Sequence, residues 1–185
     1  PVLTPSRSLG KRQATLTPFA PTLMEFFAGI GLVRYAFEKE GWTVGFANDI
    51  DAAKQKIYEL NFAGRDFIRD DINRLKASDL PSVTLATSSF PCTDVSLAGA
   101  RKGLKGEQSG AVLPFLDLMK QMRERKPPLI LLENVLGLLS SHNGSDFRFI
   151  IQELNSLGYD CDAVVVNAVH FTPQSRPRLF IFGVQ

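Results

Sequence analysis

The sequence has 185 residues, of which 44% are hydrophobic and 22% are charged. This composition is that of an ordinary soluble protein and excludes a disordered or collagen-like chain, and the length suits one domain with a substantial core. The formal net charge of +2 is compatible with a nucleic-acid partner but selects none.

The apolar runs and the cysteines point to a cellular compartment. No apolar run approaches the roughly 20 residues that a membrane span needs, and the first residues lack the apolar stretch of a signal peptide. The two cysteines, Cys92 and Cys161, are far apart and have no metal-ligand spacing. We therefore expect an intracellular protein with no disulfide framework, membrane span or metal site.

The chain divides at about residue 20. Residues 1–20 mix Pro, Ser, Thr and basic residues without periodicity, which predicts a flexible tail. In residues 21–185, short apolar runs alternate with amphipathic stretches. The predicted strands are Thr22–Phe27, Val44–Asn48, Phe67–Ile72, Val83–Ser88, Leu129–Leu132, Ala163–Val169 and Leu179–Val184.

Helices are predicted between several of these strands. They comprise Leu32–Glu40, a stretch through Ile57 and Leu60, and Ser145–Leu157. The strand Leu129–Leu132 is apolar throughout, so we expect it to be buried on both faces. Strands separated by helices indicate a doubly wound α/β sheet.

A glycine turn joins the first strand to the first helix, at Phe27-Ala28-Gly29-Ile30-Gly31. Glycines let a backbone approach a ligand closely, and Asp49 ends the second strand about 20 residues later, where a ribose-binding carboxylate belongs. The third glycine of the dinucleotide fingerprint is replaced by Arg34, which is too bulky for the close helix packing of that fingerprint. A cofactor with adenine and ribose but no pyrophosphate fits better, and S-adenosylmethionine is the common one.

Further polar residues follow three later strands. Asp71 comes after the third strand and could accept a hydrogen bond from the adenine amino group. Cys92 and Glu133 follow the fourth and fifth strands, at the edge where ligands bind in open α/β sheets. Arginine forks precede the last strand, in Gln174-Ser175-Arg176-Pro177-Arg178. The plainer alternatives are a tight turn at the glycines and a solvated loop aspartate at position 71, while Cys161 is expected to be inert packing.

In this order, these segments resemble the motif set of the cytosine-5 DNA methyltransferase family. The matching segments span residues from about 22 to 185 and are Phe27–Gly31, Asn48–Asp51, Asp71-Ile72, Phe90-Pro91-Cys92, Glu133-Asn134-Val135 and Gln174-x-Arg176-x-Arg178. The resemblance implies a Rossmann-like, mostly parallel sheet with an antiparallel last strand. It also implies DNA methylation with S-adenosylmethionine as donor, as in restriction–modification systems.

The resemblance assigns roles at the reacting end. Cys92 would add to carbon 6 of cytosine, and Glu133 would hydrogen-bond or protonate ring nitrogen 3. Arg178 would hold the carbonyl oxygen at position 2, while Arg176 and Gln174 would arrange the wall of the site. The cytosine would have to be flipped out of the duplex, because its ring carbons cannot be reached while the base is stacked.

At the cofactor end, the resemblance places Phe27 against the adenine, the backbone of Gly29 and Gly31 near the methionine portion, and Asp49 on the ribose. Ile50 would cover one adenine face and Asp71 would bind the exocyclic amine. The remaining residues of the matching segments complete the expected pocket, namely Ala28, Ile30, Ile72 and Pro91. Three positions depart from the family pattern, namely Leu32, Ser89 and Ala111.

Family members continue into a target-recognition domain and return with a final helix that closes the cofactor pocket. Neither follows Gln185 in this sequence, so we expect a fragment, a degenerate gene or one subunit of a split enzyme with a second chain as partner. The alternatives are an RNA cytosine-5 methyltransferase, a non-catalytic cofactor-binding subunit and, disfavoured by Arg34, a nicotinamide-dependent oxidoreductase.

Overall fold

The computed structural model describes residues 20–62, 66–91 and 111–185. The strands are β1 (Thr22–Phe26), β2 (Thr43–Asp49), β3 (Phe67–Arg69), β4 (Leu85–Ser88), β5 (Leu129–Asn134), β6 (Asp160–Asn167) and β7 (Pro177–Val184). The α-helices are α1 (Leu32–Lys39), α2 (Ala52–Asn61), α3 (Val112–Met122) and α4 (Ser145–Ser156). The predicted tail lies almost wholly outside the described residues.

The strands form one sheet in the order β3-β2-β1-β4-β5-β7-β6. Neighbouring strands from β3 to β5 pair in parallel, whereas β7 pairs antiparallel with both β5 and β6. The expected sheet with an antiparallel last strand is therefore confirmed. The strand order reverses at β1 and β4, and such a reversal opens a crevice at the carboxyl ends of the strands.

Two hydrophobic clusters fill the core. The larger cluster joins the central strands to α3 and α4, with Phe26 against Phe115 at a centroid distance of 5.3 Å and Ile150 and Leu154 fully buried. The smaller cluster lies under α2, where Tyr58 packs on Phe67. Helix α2 caps its own first turn, because the Asp51 carboxylate accepts from two backbone N–H groups.

Several predicted boundaries need correction. Strand β3 ends at Arg69, three residues before the predicted end, because Asp71 caps a 3-10 turn that begins at Ile72. Strand β6 begins at Asp160 and ends at Asn167, where the Asn167 side chain caps another 3-10 turn. Helix α3 has no counterpart among the predicted helices.

The expectation that Leu129–Leu132 is buried on both faces is wrong. Ile130 and Leu132 are buried, but Leu129 and Leu131 on the other face are only partly covered, and Leu131 borders a cavity. Helix α1 borders the same cavity and has no fully buried residue. Among the described residues, no helix is long and apolar enough to cross a membrane.

Candidate active site

The glycine turn after β1 is held in a left-handed conformation. Phe27 and Gly29 have φ of 55° and 59°, and the Gly29 N–H donates to Asp49 Oδ2 at 2.9 Å. A Cβ at Gly29 would meet nothing closer than 4.0 Å. Glycine is therefore favoured here for its backbone conformation rather than for space.

The second glycine serves helix packing. Gly31 has φ of 88°, and a Cβ there would lie 2.3 Å from the Phe62 ring. Arg34, one turn later, stacks on the rings of Tyr58 and Phe62 at 5.5 and 4.7 Å and pairs with the carboxylates of Asp66 and Glu38. The position of the third fingerprint glycine is thus occupied by a cation that joins α1 to the end of α2.

A cavity of about 390 Å³ lies at the carboxyl ends of β2 and β4. It brings together six of the residues predicted to bind the cofactor, which are Phe27, Asp49, Ile50, Asp71, Ile72 and Pro91. Lys54, Asn73, Ser89 and Ala111 complete its wall. A wall that is about half apolar and carries two carboxylates suits a nucleoside-like ligand.

Asp49 is 4% exposed, and both of its carboxylate oxygens have protein partners. Oδ2 accepts from the Gly29 N–H and lies 3.5 Å from Lys54 Nζ, and Oδ1 accepts from the Asp51 N–H at 3.0 Å. A carboxylate offers about four lone-pair sites. Asp49 therefore orders the glycine turn and keeps about one site for a ligand hydroxyl.

The Asp71 carboxylate is also held by hydrogen bonds from a neighbouring residue. Its Oδ1 accepts from the backbone and side-chain N–H groups of Asn73 at 2.9 and 2.8 Å, and these bonds lower the pKa of Asp71. The carboxylate is therefore ionised at neutral pH, with Oδ2 available as an acceptor. The Asn48 amide donates to the carbonyls of Ile68 and Asp70, which fixes the end of β3 beside the cavity.

A larger cavity of about 770 Å³ adjoins the first and shares Phe27, Lys54 and Ser89 with it. Glu133 and Arg178 meet on its wall, with Arg178 Nε 2.9 Å from Glu133 Oε1. The two residues face each other because β5 and β7 are antiparallel neighbours. The structure thus brings together a carboxylate and a guanidinium that are 45 residues apart in the sequence.

Of the other predicted site residues, some line the larger cavity and some line neither cavity. Ala28, Gly29, Ile30 and Arg176 line the larger cavity. Gly31 and Gln174 line neither cavity, and Gln174 is exposed. The expected contacts of Gly31 with the cofactor and of Gln174 with the active-site wall therefore gain no support from these two cavities and stay predictions.

Cys92 and the loop from Thr93 to Gly110 lie outside the described residues. The turn that leads to Cys92 is described, and the Asn134 amide of β5 donates to the Phe90 carbonyl at 2.9 Å. Cys161 is partly buried, and burial raises the pKa of its thiol. A raised pKa makes a cysteine a poorer nucleophile near neutral pH, in agreement with a packing role.

Several residues at the site have no role in the sequence-based prediction, and three of them are Glu25, Lys54 and Asn134. Glu25 of β1 is 2% exposed and lines the larger cavity, and Lys54 lines both cavities. Asn134 ties β5 to the Phe90 turn. Glu25 carries a signal in the sequence, because it is a charged residue within an apolar strand.

Comparison with known proteins gives consistent matches. The family model described as C-5 cytosine-specific DNA methylase matches residues 22–185. The Type II methyltransferase M.Bsp6I of Bacillus sp. (strain RFL6) is 38% identical over 165 residues, which cover 87% of this chain and 51% of that protein. M.NgoBI of Neisseria gonorrhoeae, also a Type II methyltransferase, is 36% identical over 161 residues, or 86% and 49% of the two chains.

The fold has solved relatives as well. The crystal structure of the S. pombe Dnmt2 methyltransferase superposes with a TM-score of 0.72 at 28% identity, covering 89% of this chain and 50% of that one. The chain therefore spans about half the length of the curated relatives and of the solved structure that it matches.

Proposed function

Because this chain belongs to the C-5 cytosine-specific DNA methylase family, we propose that it transfers a methyl group from S-adenosylmethionine to carbon 5 of a flipped-out cytosine in DNA. The observation that carries the proposal is the meeting of Glu133 and Arg178, at 2.9 Å, in the cavity that adjoins the carboxylate-lined pocket. An acid and a fixed guanidinium at this place can bind one edge of a pyrimidine.

The smaller cavity supports the choice of cofactor. Asp49 and Asp71 offer acceptors for ribose hydroxyls and an adenine amine, while Phe27 and Ile50 offer apolar surfaces for the adenine faces. Gly31 packs against Phe62, so this turn contributes one ligand-facing glycine rather than a pyrophosphate cradle. When bound, S-adenosylmethionine supplies an electrophilic methyl group on a sulfonium.

We assign Cys92 as the nucleophile. Its thiolate adds to carbon 6 of cytosine, and the electron pair of the C5=C6 bond becomes available at carbon 5 for the methyl group. Glu133 hydrogen-bonds or protonates ring nitrogen 3 as negative charge develops, and Arg178 binds the oxygen at position 2. A base then removes the proton from carbon 5, and elimination of the Cys92 thiolate restores the ring.

The covalent step gives the sharpest test. A DNA oligonucleotide with 5-fluorocytosine is supplied together with S-adenosylmethionine and any complementing chain. After methyl transfer, carbon 5 has no proton to lose, so the adduct is trapped and can be identified by mass spectrometry. We expect an adduct with the wild-type chain and with Cys161→Ser, and none with Cys92→Ser. An adduct that survives Cys92→Ser and is lost with Cys161→Ser would overturn the assignment.

The nature of the substrate is tested in the same assay. An RNA oligonucleotide of matched sequence is offered in place of DNA, and preferential trapping of RNA would favour an RNA cytosine-5 methyltransferase. Calorimetry with S-adenosylmethionine against a nicotinamide dinucleotide separates the methyltransferase from an oxidoreductase. Cofactor binding without transfer to either nucleic acid, even when the family's recognition region and closing helix are supplied, would indicate a non-catalytic subunit.

We further propose that another protein segment covers the larger cavity during catalysis. Several apolar side chains around it are exposed, with Leu32 at 69% and Phe171 at 78%, and exposed apolar surface of this kind is typical of an interface. The proposed segment carries a closing helix and a target-recognition region, in the same polypeptide or in a second chain. Base discrimination requires groove contacts, each worth about 1–3 kcal/mol, that the two cavities cannot make.

Residues 1–185 alone should therefore bind cofactor weakly and methylate DNA without sequence preference. Adding a chain with the recognition region and closing helix should increase both cofactor binding and sequence selectivity. A methyl-transfer assay with labelled cofactor on DNAs of varied sequence measures both. Efficient, selective methylation by residues 1–185 alone would contradict this proposal.

A further inference from the structure

The two cavities of the site meet at a junction that a lysine occupies. Among the described residues, Phe27, Lys54 and Ser89 line both cavities. With adenine in the smaller cavity and the methionine portion in the larger one, the ribose that links them lies at this junction. The polar side chains of the junction are those of Lys54 and Ser89, beside the carboxylate of Asp49 in the smaller cavity.

The Lys54 side chain extends from the first turn of α2 to the Asp49 carboxylate. The Lys54 N–H donates to the Asp51 carboxylate that caps α2, and Lys54 Nζ lies 3.5 Å from Asp49 Oδ2. A charge-assisted N–H···O bond is shorter, about 2.7–2.9 Å. The ammonium and the carboxylate are therefore near each other but not closely bonded, and a third atom can lie within hydrogen-bond distance of both.

A ribose hydroxyl has the hydrogen-bonding groups that such a position requires. A hydroxyl offers one donor and two acceptor lone pairs, whereas an ionised carboxylate only accepts and an ammonium only donates. We propose that Lys54 is a second ribose-binding residue, which donates a hydrogen bond to the same hydroxyl that donates to Asp49. The inference rests on the proposed function, because it takes the ribose of S-adenosylmethionine as the ligand group.

A purely electrostatic role of Lys54 predicts a different result. The Lys54 side chain is 48% exposed, and an ion pair at such a position contributes little to folding. If Lys54 only offset the charge of Asp49, its loss would change the affinities of all adenosine ligands by the same factor. If Lys54 binds a hydroxyl, its loss weakens only those ligands that carry this hydroxyl.

Three ligands and two variants separate these roles. The ligands are S-adenosylhomocysteine and its 2′-deoxy and 3′-deoxy analogues, and their binding to residues 1–185 is followed by NMR chemical-shift titration, which also measures dissociation constants in the millimolar range. The test variant is Lys54→Met, which keeps the length and the helix propensity of the side chain. The matched control is Lys56→Met, at an exposed position of α2 that lines neither cavity.

We expect one deoxy analogue to bind the wild-type chain and Lys56→Met roughly tenfold or more weakly than S-adenosylhomocysteine, because it lacks the hydroxyl that both charged groups bind. In Lys54→Met, the affinity for S-adenosylhomocysteine should fall by about threefold to tenfold, while the affinity for that analogue stays unchanged. The penalty for the missing hydroxyl is then smaller in Lys54→Met than in wild type. The analogue that shows this change identifies the hydroxyl.

Two outcomes contradict the inference. If both analogues carry the same penalty in wild type and in Lys54→Met, Lys54 does not bind a ribose hydroxyl, and the proposed function is left intact. If S-adenosylhomocysteine does not bind the wild-type chain, even with the recognition region and closing helix supplied, both the inference and the proposed function are overturned.

Discussion

The Asn134 side-chain amide donates a hydrogen bond to the Phe90 carbonyl at 2.9 Å, and both residues are buried. This bond joins the end of β5, which carries Glu133, to the turn after β4, which leads to Cys92. Asn134 also accepts from the Val135 N–H through its Oδ1. One asparagine therefore sets the relative position of the two segments that we assign to catalysis.

Replacing Asn134 by alanine should be destabilising, because it leaves the buried Phe90 carbonyl without its partner. The expected loss in the free energy of unfolding is about 1–3 kcal/mol, measured by urea denaturation. Asn155→Ala, at an exposed position of α4, is the matched control and should change the free energy by less than about 0.5 kcal/mol. Equal stabilities of the two variants would show that the bond contributes nothing.

Glu25 should make the folded state less stable as the pH rises. Its pKa is raised from 4.5 to about 8 by burial, so between these values the folded state holds a proton that the unfolded state has lost. The free energy of unfolding should fall by up to about 1.4 kcal/mol per pH unit in this window from Glu25 alone. Glu25→Gln should remove this slope, so the difference between wild type and variant should change steadily from pH 5 to 8. A constant difference would contradict the raised pKa.

Arg34 should contribute more to stability than an exposed arginine does. Its side chain is 12% exposed, stacks on Phe62 and pairs with Asp66. Arg34→Met should lower the free energy of unfolding by about 1–3 kcal/mol, because the partly buried Asp66 loses its counter-ion. Arg74, 76% exposed and 3.6 Å from Asp70, is the control, and Arg74→Met should cost less than about 1 kcal/mol. Thermal and urea unfolding measure the stability of both variants, and equal losses would contradict the larger contribution of Arg34.

Gly31 and Gly41 allow strain and steric clash to be separated. Both have positive φ, 88° and 83°, but a Cβ at Gly31 would lie 2.3 Å from Phe62, whereas at Gly41 nothing lies within 4 Å. Gly41→Ala should cost about 1–2 kcal/mol from backbone conformation alone. Gly31→Ala should cost clearly more in the same urea titration, since the Phe62 ring must move as well. Equal losses in the free energy of unfolding would mean that the Phe62 ring moves aside at no cost.

The sequence allows the strands and the outline of the cofactor pocket to be predicted. Mostly apolar runs such as Thr22–Phe27 and Leu129–Leu132 mark strands of the sheet, and the residues that follow strands of an open α/β sheet lie at one edge of it. Asp49, Asp71 and Pro91 accordingly line one cavity. Helix α3 is not predicted because it contains Pro114 in a largely apolar segment, and proline usually interrupts a helix. Pro114 is tolerated here because it lies in the first turn of α3.

Other features depend on tertiary contacts that no local pattern carries. The face of β5 that carries Leu129 and Leu131 is only partly buried, because Leu131 borders a cavity. An apolar run in the sequence does not show what covers each face of its strand. In the sequence Arg34 is an obstacle to close packing, yet the rings of Tyr58 and Phe62 accept it as a flat, charged partner. Gln174 belongs to the site by its motif but lies outside both cavities.

Strand β7 follows β6 in the chain but lies between β5 and β6 in the sheet. Among the described residues, every strand pairing that attaches β6 to the sheet therefore passes through β7, so β6 depends on β7 for its place in the sheet. The pairing of β7 with β5 also brings Arg178 to Glu133. Placement of β7 in the sheet and assembly of the Glu133–Arg178 pair are therefore linked, and any change that displaces β7 from β5 also separates the pair proposed to bind the pyrimidine.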